Sequence, residues 1–209
     1  MSAAQKLTLV YFPIHGRAMA IRLALAVANI PYETESIGFA DWGAKKASTW
    51  GGVIPVLRVG DKVLGQSNAI LNYVSGLGGL VPSDPLQRAQ SDEALALIED
   101  YIGYIAPTMR ESDPAKKTAM RKDIAENKLP PALAHLDEFI AANGSAGHAV
   151  GSSVSPADFK IFQLIWWLKS GSLDDIPTTI SDAYPHVTQL HQTIGAIPAV
   201  KQHLESFGK

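Results

Sequence analysis

The chain has 209 residues, 46% of them hydrophobic and 18% charged, with a formal net charge of −2. That length can bury one large core or two modest ones, and so balanced a charge lacks the basic stripe that nucleic-acid binding needs. With no cysteine, disulfides, thiolate metal sites and cysteine nucleophiles are all removed, which is compatible with a reducing compartment.

No apolar run approaches the roughly 20 residues of a membrane span. Residues 1–6 are short and polar and do not read as a secretory leader. The six histidines are scattered. His186 and His191 lie five apart, on different faces of a helix, so no metal site is expected.

The first part alternates strands and helices. Residues 6–11 read as a strand, 13–16 as a turn, and 17–28 as a helix with Ala18, Ile21, Arg22 and Leu25 at helical spacing. Arg22 interrupts the most hydrophobic early stretch. Residues 32–37 suggest a second strand. Residues 56–59 and 62–64 flank Gly60-Asp61 as a tight hairpin. Ser67 then opens a helix through Ile70, Leu71 and Val74 that closes near Gly76. The order is βαβ, an irregular segment, then ββα.

Gly and Pro concentrate in residues 76–85, which marks a boundary. The expected domains are 1–78 and 87–209, joined by a linker over 79–86. After the boundary only helix patterns remain. Residues 86–104 form one helix. Residues 115–142 are mostly helical, with Pro130-Pro131 breaking or kinking the run. Ser155-Pro156-Ala157-Asp158 is a helix start: Ser155 caps, Pro156 suits the first position and Asp158 reaches back to the cap backbone. The nearly all-apolar helix over 159–168 is expected at the centre of the helical domain. Shorter helices follow near 187–194 and 199–204.

Several residues can carry chemistry. A proline at a strand start, as in Ile54-Pro55, removes a ladder donor. A cis bond there would turn the Ile54 backbone toward a bound peptide, whereas a trans proline would simply sit at a strand edge. Gln66-Ser67 stands at a strand-to-helix junction, where free N–H groups favour a carboxylate; a plain N-cap serine is the simpler alternative. Trp42 and Lys46 are donors four residues apart and can converge on one anion, with Lys45 as a substitute. Otherwise they are a partly exposed indole and a solvated ammonium. Tyr11 ends the first strand and by itself could be a core aromatic.

Together Tyr11, Gly16-Arg17, Trp42, Lys46, Ile54-Pro55 and Gln66-Ser67 stand in the order and spacing of the cytosolic glutathione transferases. The chain resembles their tyrosine type, most of all the sigma class and next the alpha class. The resemblance covers nearly the whole chain. It implies a thioredoxin-like α/β N-terminal domain followed by an all-α helical domain. It also implies a homodimer and glutathione as co-substrate, conjugated to apolar electrophiles.

By the same resemblance Tyr11 is catalytic, its hydroxyl donating a hydrogen bond to the glutathione sulfur. Arg17 adds positive charge beside the sulfur or orders the site. Trp42 and Lys46 hold the glycyl carboxylate. Ile54, with Pro55, meets the cysteinyl backbone, and Gln66 and Ser67 meet the γ-glutamyl end. Asp100, ahead of Asp92, reaches across a two-fold dimer to the γ-glutamyl amine of the other subunit. The electrophile site would lie between Tyr11 and the second domain, with Phe12, Ile14, His15, Tyr104, Met109 and Phe207 as candidates.

The chain departs from the family at two places. Met19-Ala20 replaces a common Glu-Pro, and Val53 replaces a common Gln, leaving only the Val53 backbone to bind. The alternatives to conjugation are a glutathione-dependent isomerase or peroxidase on the same site, and a non-enzymatic ligand-binding or structural protein of the same fold.

Overall fold

A computed structural model describes residues 6–207, which divide into two compact units. The first comprises the chain up to Val81 together with the segment from Ile197 onward. Its sheet has four strands, β1 (Leu7–Tyr11), β2 (Glu33–Ser36), β3 (Val56–Val59) and β4 (Lys62–Gly65), in the order β2-β1-β3-β4. β1 is parallel to β2 and antiparallel to β3, which forms an antiparallel hairpin with β4. Gly60 turns that hairpin at a φ of +55°, open to glycine at little cost.

The parallel β1–β2 pair requires a crossover, supplied by α1 (Met19–Val27). A 3₁₀ turn at Gly16–Ala18 leads into it. α1 is buried from Met19 to Leu25 and packs with α3 (Ser67–Leu77), which contributes Ile70, Leu71 and Val74. On the opposite face of the sheet, Val10, Ile37 and Val56 form a small core. Trp42, from the short helix α2 (Trp42–Lys45), and Ile54 pack against it.

The second unit runs from Pro82 to Ala196. It contains α4 (Pro85–Ile105), α5 (Pro114–Asp123), α6 (Leu129–Asn143), α7 (Pro156–Lys169) and α8 (Pro185–Gly195). α7 is its buried centre, flanked by α4 and α8. Its start is built as the motif predicts. The Asp158 carboxylate accepts the Ser155 N–H at 2.7 Å and the Ser155 hydroxyl at 2.8 Å, and also the Ala149 N–H at 2.8 Å. The buried Lys160 of α7 pairs with Glu99 of α4.

Sequence alone treats residues 115–142 as one interrupted helix. The structure resolves it into α5, a π turn at Ile124–Lys128 and α6. Pro130 and Pro131 fall in the first turn of α6, where a missing N–H breaks no helical bond.

The last helix of the described residues is α9 (Pro198–Ser206). It packs on α1 in the first unit, with Val200 fully buried. Among the described residues no helix is long and apolar enough to cross a membrane.

Candidate active site

Strand register brings the distant motifs to one end of the sheet. Val10 pairs with Val56, and Val56 with Gly65. One step further along each chain are Tyr11, Pro55 and Gln66. Three segments separated by tens of residues therefore meet in adjacent rows.

Tyr11 closes the central strand and is 5% exposed. Its hydroxyl oxygen accepts the Arg17 backbone N–H at 2.9 Å. A hydroxyl that accepts can also donate, and an accepted hydrogen bond strengthens a donated one. Gly16 makes the approach possible. Its φ is +40°, and a Cβ there would lie 2.6 Å from the Tyr11 hydroxyl. Arg17 itself is exposed, and its backbone N–H is what orders Tyr11.

Arg22 plays a part that the sequence motifs do not assign. It is only 2% exposed. Its Nη1 donates to the Ile14 carbonyl at 2.6 Å and the His15 carbonyl at 3.5 Å, and its Nη2 donates to the Phe12 carbonyl at 3.4 Å. One guanidinium thus gathers the loop between Tyr11 and Arg17. A single charge inside the apolar stretch over 18–28 is the sequence signal for it.

The side chains around this loop are aromatic. Phe12 stacks on Phe39 with centroids 4.5 Å apart and meets Trp42 edge-on at 5.8 Å. Ile14 is exposed. His15 stacks on Phe207 at 3.9 Å, with His203 6.0 Å away. Burial, then His203 and Arg22, depress the His15 pKa to about 4.

The Ile54-Pro55 bond is cis. Val53, just before it, is extended at φ −133° and ψ 157° and has an exposed side chain. The Lys46 side chain lies over Gly52, its Cε 3.8 Å from where a Cβ would stand, next to Val53. Lys45 diverges toward Glu35, which pairs with Arg58 at 2.6 Å and is held below the usual carboxylate range chiefly by that hydrogen bond. Of the two lysines, Lys46 is the one beside the cis-proline turn.

Gln66 caps α3 at φ 68° and ψ 116°, a conformation that side-chain-bearing residues seldom adopt. Such strain outside glycine persists where surrounding structure imposes it, and it concentrates at binding sites. Ser67 follows as the buried first residue of α3. The helix start thus presents free N–H groups and a positive dipole end beside Pro55.

In the second unit, Asp100 is exposed on α4, next to Glu99 with its Lys160 partner. Tyr104 is exposed and stacks with Tyr101 at 6.2 Å. Met109 is exposed, and its sulfur accepts from Nη2 of the buried Arg121 at 3.5 Å. Among the described residues no three His, Asp or Glu side chains are grouped to hold a metal.

Residues 5–76 match the glutathione S-transferase N-terminal domain, and residues 99–207 match the C-terminal domain. The chain belongs to the glutathione S-transferase family. It is 32% identical to the hematopoietic prostaglandin D synthase of Gallus gallus over 201 residues, 96% of each chain. It is 31% identical to a probable glutathione S-transferase 6 of Caenorhabditis elegans over 158 residues, 74% of this chain and 76% of that one. The solved structure of rat hPGDS complexed with a quinoline superposes with a TM-score of 0.85 at 27% identity, covering 98% of both chains. In this transferase the motif-bearing end of the sheet belongs to the half matched by the N-terminal domain, and the thioredoxin-like plus all-helical architecture is that of the family.

Proposed function

We propose that this transferase is of the tyrosine type and activates glutathione through the Tyr11 hydroxyl. The observation that carries this reading is the Arg17 N–H held on the Tyr11 oxygen at 2.9 Å, which fixes the hydroxyl at the end of the central strand. Glutathione supplies a thiol that is only a few per cent ionised at neutral pH. Lowering its pKa by about two units requires roughly 2.7 kcal/mol. A hydrogen bond to a charged acceptor is worth about 1.5–3 kcal/mol, so the Tyr11 hydroxyl covers most of it.

The surrounding donors suit a tripeptide with a carboxylate at each end. Lys46, beside Val53, and the indole of Trp42 serve the glycyl carboxylate. The backbones of Val53 and Ile54, turned by Pro55, serve the cysteinyl segment. Gln66, Ser67 and the start of α3 serve the γ-glutamyl carboxylate. The assignment of Asp100 to the γ-glutamyl amine of a partner in a homodimer rests on family resemblance, as do the sigma-class placement and a cytoplasmic role in detoxification.

For the electrophile, Ile14 and His15 border the Tyr11 loop, and Phe12 joins the aromatic group beside it. Tyr104 and Met109 are offered as apolar contacts on the resemblance alone. Phe207 is a further apolar candidate by the same resemblance, its ring stacked on His15 and close to Arg22.

The test is conjugation of glutathione to a chromogenic halo-nitroarene by wild type and Tyr11→Phe, with glutathione affinity measured for both. Equal affinity with most of the rate lost supports the assignment. An unchanged rate in the variant refutes it. A second reading, glutathione-dependent isomerisation, is favoured by full-length similarity to prostaglandin D synthases. Assaying prostaglandin D formation by the same two proteins decides whether the Tyr11 site serves that reaction too.

A further inference from the structure

We propose that Phe207, at the end of α9, is a positioning residue for the Tyr11 hydroxyl, acting through Arg22 and the loop that Arg22 gathers. This rests on the Tyr11 reading above.

The chain of contacts is continuous within the first unit. The Phe207 ring stacks on His15 at 3.9 Å and lies 4.7 Å from the Arg22 guanidinium carbon. Arg22 in turn hydrogen-bonds the carbonyls of Phe12, Ile14 and His15. Those residues are three of the four that connect Tyr11 to Gly16-Arg17, and Arg17 supplies the N–H that orients the Tyr11 oxygen. The Phe207 ring thus touches both the loop, at His15, and the cation that binds the loop.

Two physical effects give the ring its leverage. A cation close to an aromatic face is attracted to it, more so when water is excluded. Covering the guanidinium also keeps water from competing for its hydrogen bonds, which strengthen in a low-dielectric setting. His203 adds to the cover, 5.5 Å from Phe207 and 6.0 Å from His15. Burial, followed by the Arg22 charge, lowers the His203 pKa, as burial, His203 and Arg22 lower that of His15. The two imidazoles therefore stay neutral, and Arg22 is the one charge among these four side chains. With no counter-ion within the group, the guanidinium is directed to the loop carbonyls.

Without the ring, Arg22 is opened to water on one side and the loop slackens. Arg17 N–H then holds the Tyr11 oxygen less firmly, and the thiolate loses its donor. A contact with the electrophile, the other role open to Phe207, would show a different pattern.

The experiment is a double-mutant cycle on the full chain, using the halo-nitroarene and a second, differently shaped electrophile. It compares wild type, Phe207→Ala, Tyr11→Phe and the double variant, with Phe207→Tyr as the ring-retaining control. The expected result is that Phe207→Ala lowers kcat about tenfold, a moderate cost for a misplacement transmitted from outside the reacting centre. It also raises the thiol pKa read from the pH dependence of kcat, and Phe207→Tyr restores both. In the Tyr11→Phe background the same substitution changes kcat less than about twofold, because residues acting as one unit are non-additive. Equal losses in both backgrounds, losses that track the electrophile, or a wild-type kcat in Phe207→Ala each overturn the proposal. If Phe207→Ala does not fold, Phe207→Leu completes the same cycle. A wild-type rate in Tyr11→Phe alone overturns the Tyr11 reading, independently of Phe207.

Discussion

Replacing Gly16 by alanine tests the active-site geometry at its tightest point. Two costs add. The residue sits at φ +40°, where a side chain costs about 1–2 kcal/mol. The new Cβ would stand 2.6 Å from the Tyr11 hydroxyl, 3.1 Å from its Cε1 and 3.3 Å from Ile14 Cδ1. Real Cβ atoms do not approach within 3.0 Å, so the hydroxyl must retreat by at least about 0.4 Å, and by more to reach a comfortable separation. The 2.9 Å bond from Arg17 N–H lengthens correspondingly. The expected loss of stability is about 2–4 kcal/mol. Forfeiting a charge-assisted bond of about 1.5–3 kcal/mol slows conjugation about tenfold to hundredfold. Glutathione affinity should fall no more than about threefold, since the binding proposed above draws on Lys46, Ile54, Gln66 and Ser67. Steady-state kinetics well below the melting temperature, with near-ultraviolet circular dichroism to confirm the folded fraction, make the measurement. A Gly16→Ala enzyme that is folded and keeps the wild-type kcat would refute the claim that the Tyr11 hydroxyl must stay where Arg17 holds it.

Two further predictions concern stability. Asp158→Ala strands three donors on a fully buried carboxylate site, and each costs about 1–3 kcal/mol, so urea unfolding should show a loss of at least about 3 kcal/mol; a loss under about 1 kcal/mol contradicts the cap assignment. His15 has its pKa depressed from near 6.5 to about 4, so the unfolded chain takes up its proton first as pH falls. Its contribution is therefore complete above pH 6.5 and is lost between there and pH 4. Allowing for a partly open site, wild type should lose about 1–2 kcal/mol more than His15→Phe over that window in denaturant titrations, and equal losses would discount the His15 contribution.

The parts of this structure that sequence discloses are those with local signals. Strand and helix periods place β1, β3, β4, α1 and α3 within a residue or two, and the Ser155–Asp158 box announces α7. The motifs proposed to bind glutathione are legible because each occupies a few adjacent residues with distinctive chemistry. What escapes is set by tertiary partners. Arg22 looks like an interruption of an apolar helix, since its acceptors are main-chain carbonyls of an earlier loop. Spacing from Trp42 favours Lys46 over Lys45 in sequence, and the change from α2 into a 3₁₀ turn is what sets their separate directions. α9 follows the five helices of the second unit in the chain, yet it packs on α1, with Val200 buried. The π turn before Pro130 has no composition of its own to betray it.

The first unit is assembled from two stretches that lie far apart in the chain. On a ribosome, residue 81 emerges long before residue 197, with about 115 residues between them. At roughly 5–20 residues per second that interval lasts about 6–23 s. Throughout it the flank of α1 that α9 will cover is open to solvent. The half of the molecule made first is therefore the half completed last. A premature stop just after residue 196 would leave the second unit whole and injure the one bearing Tyr11.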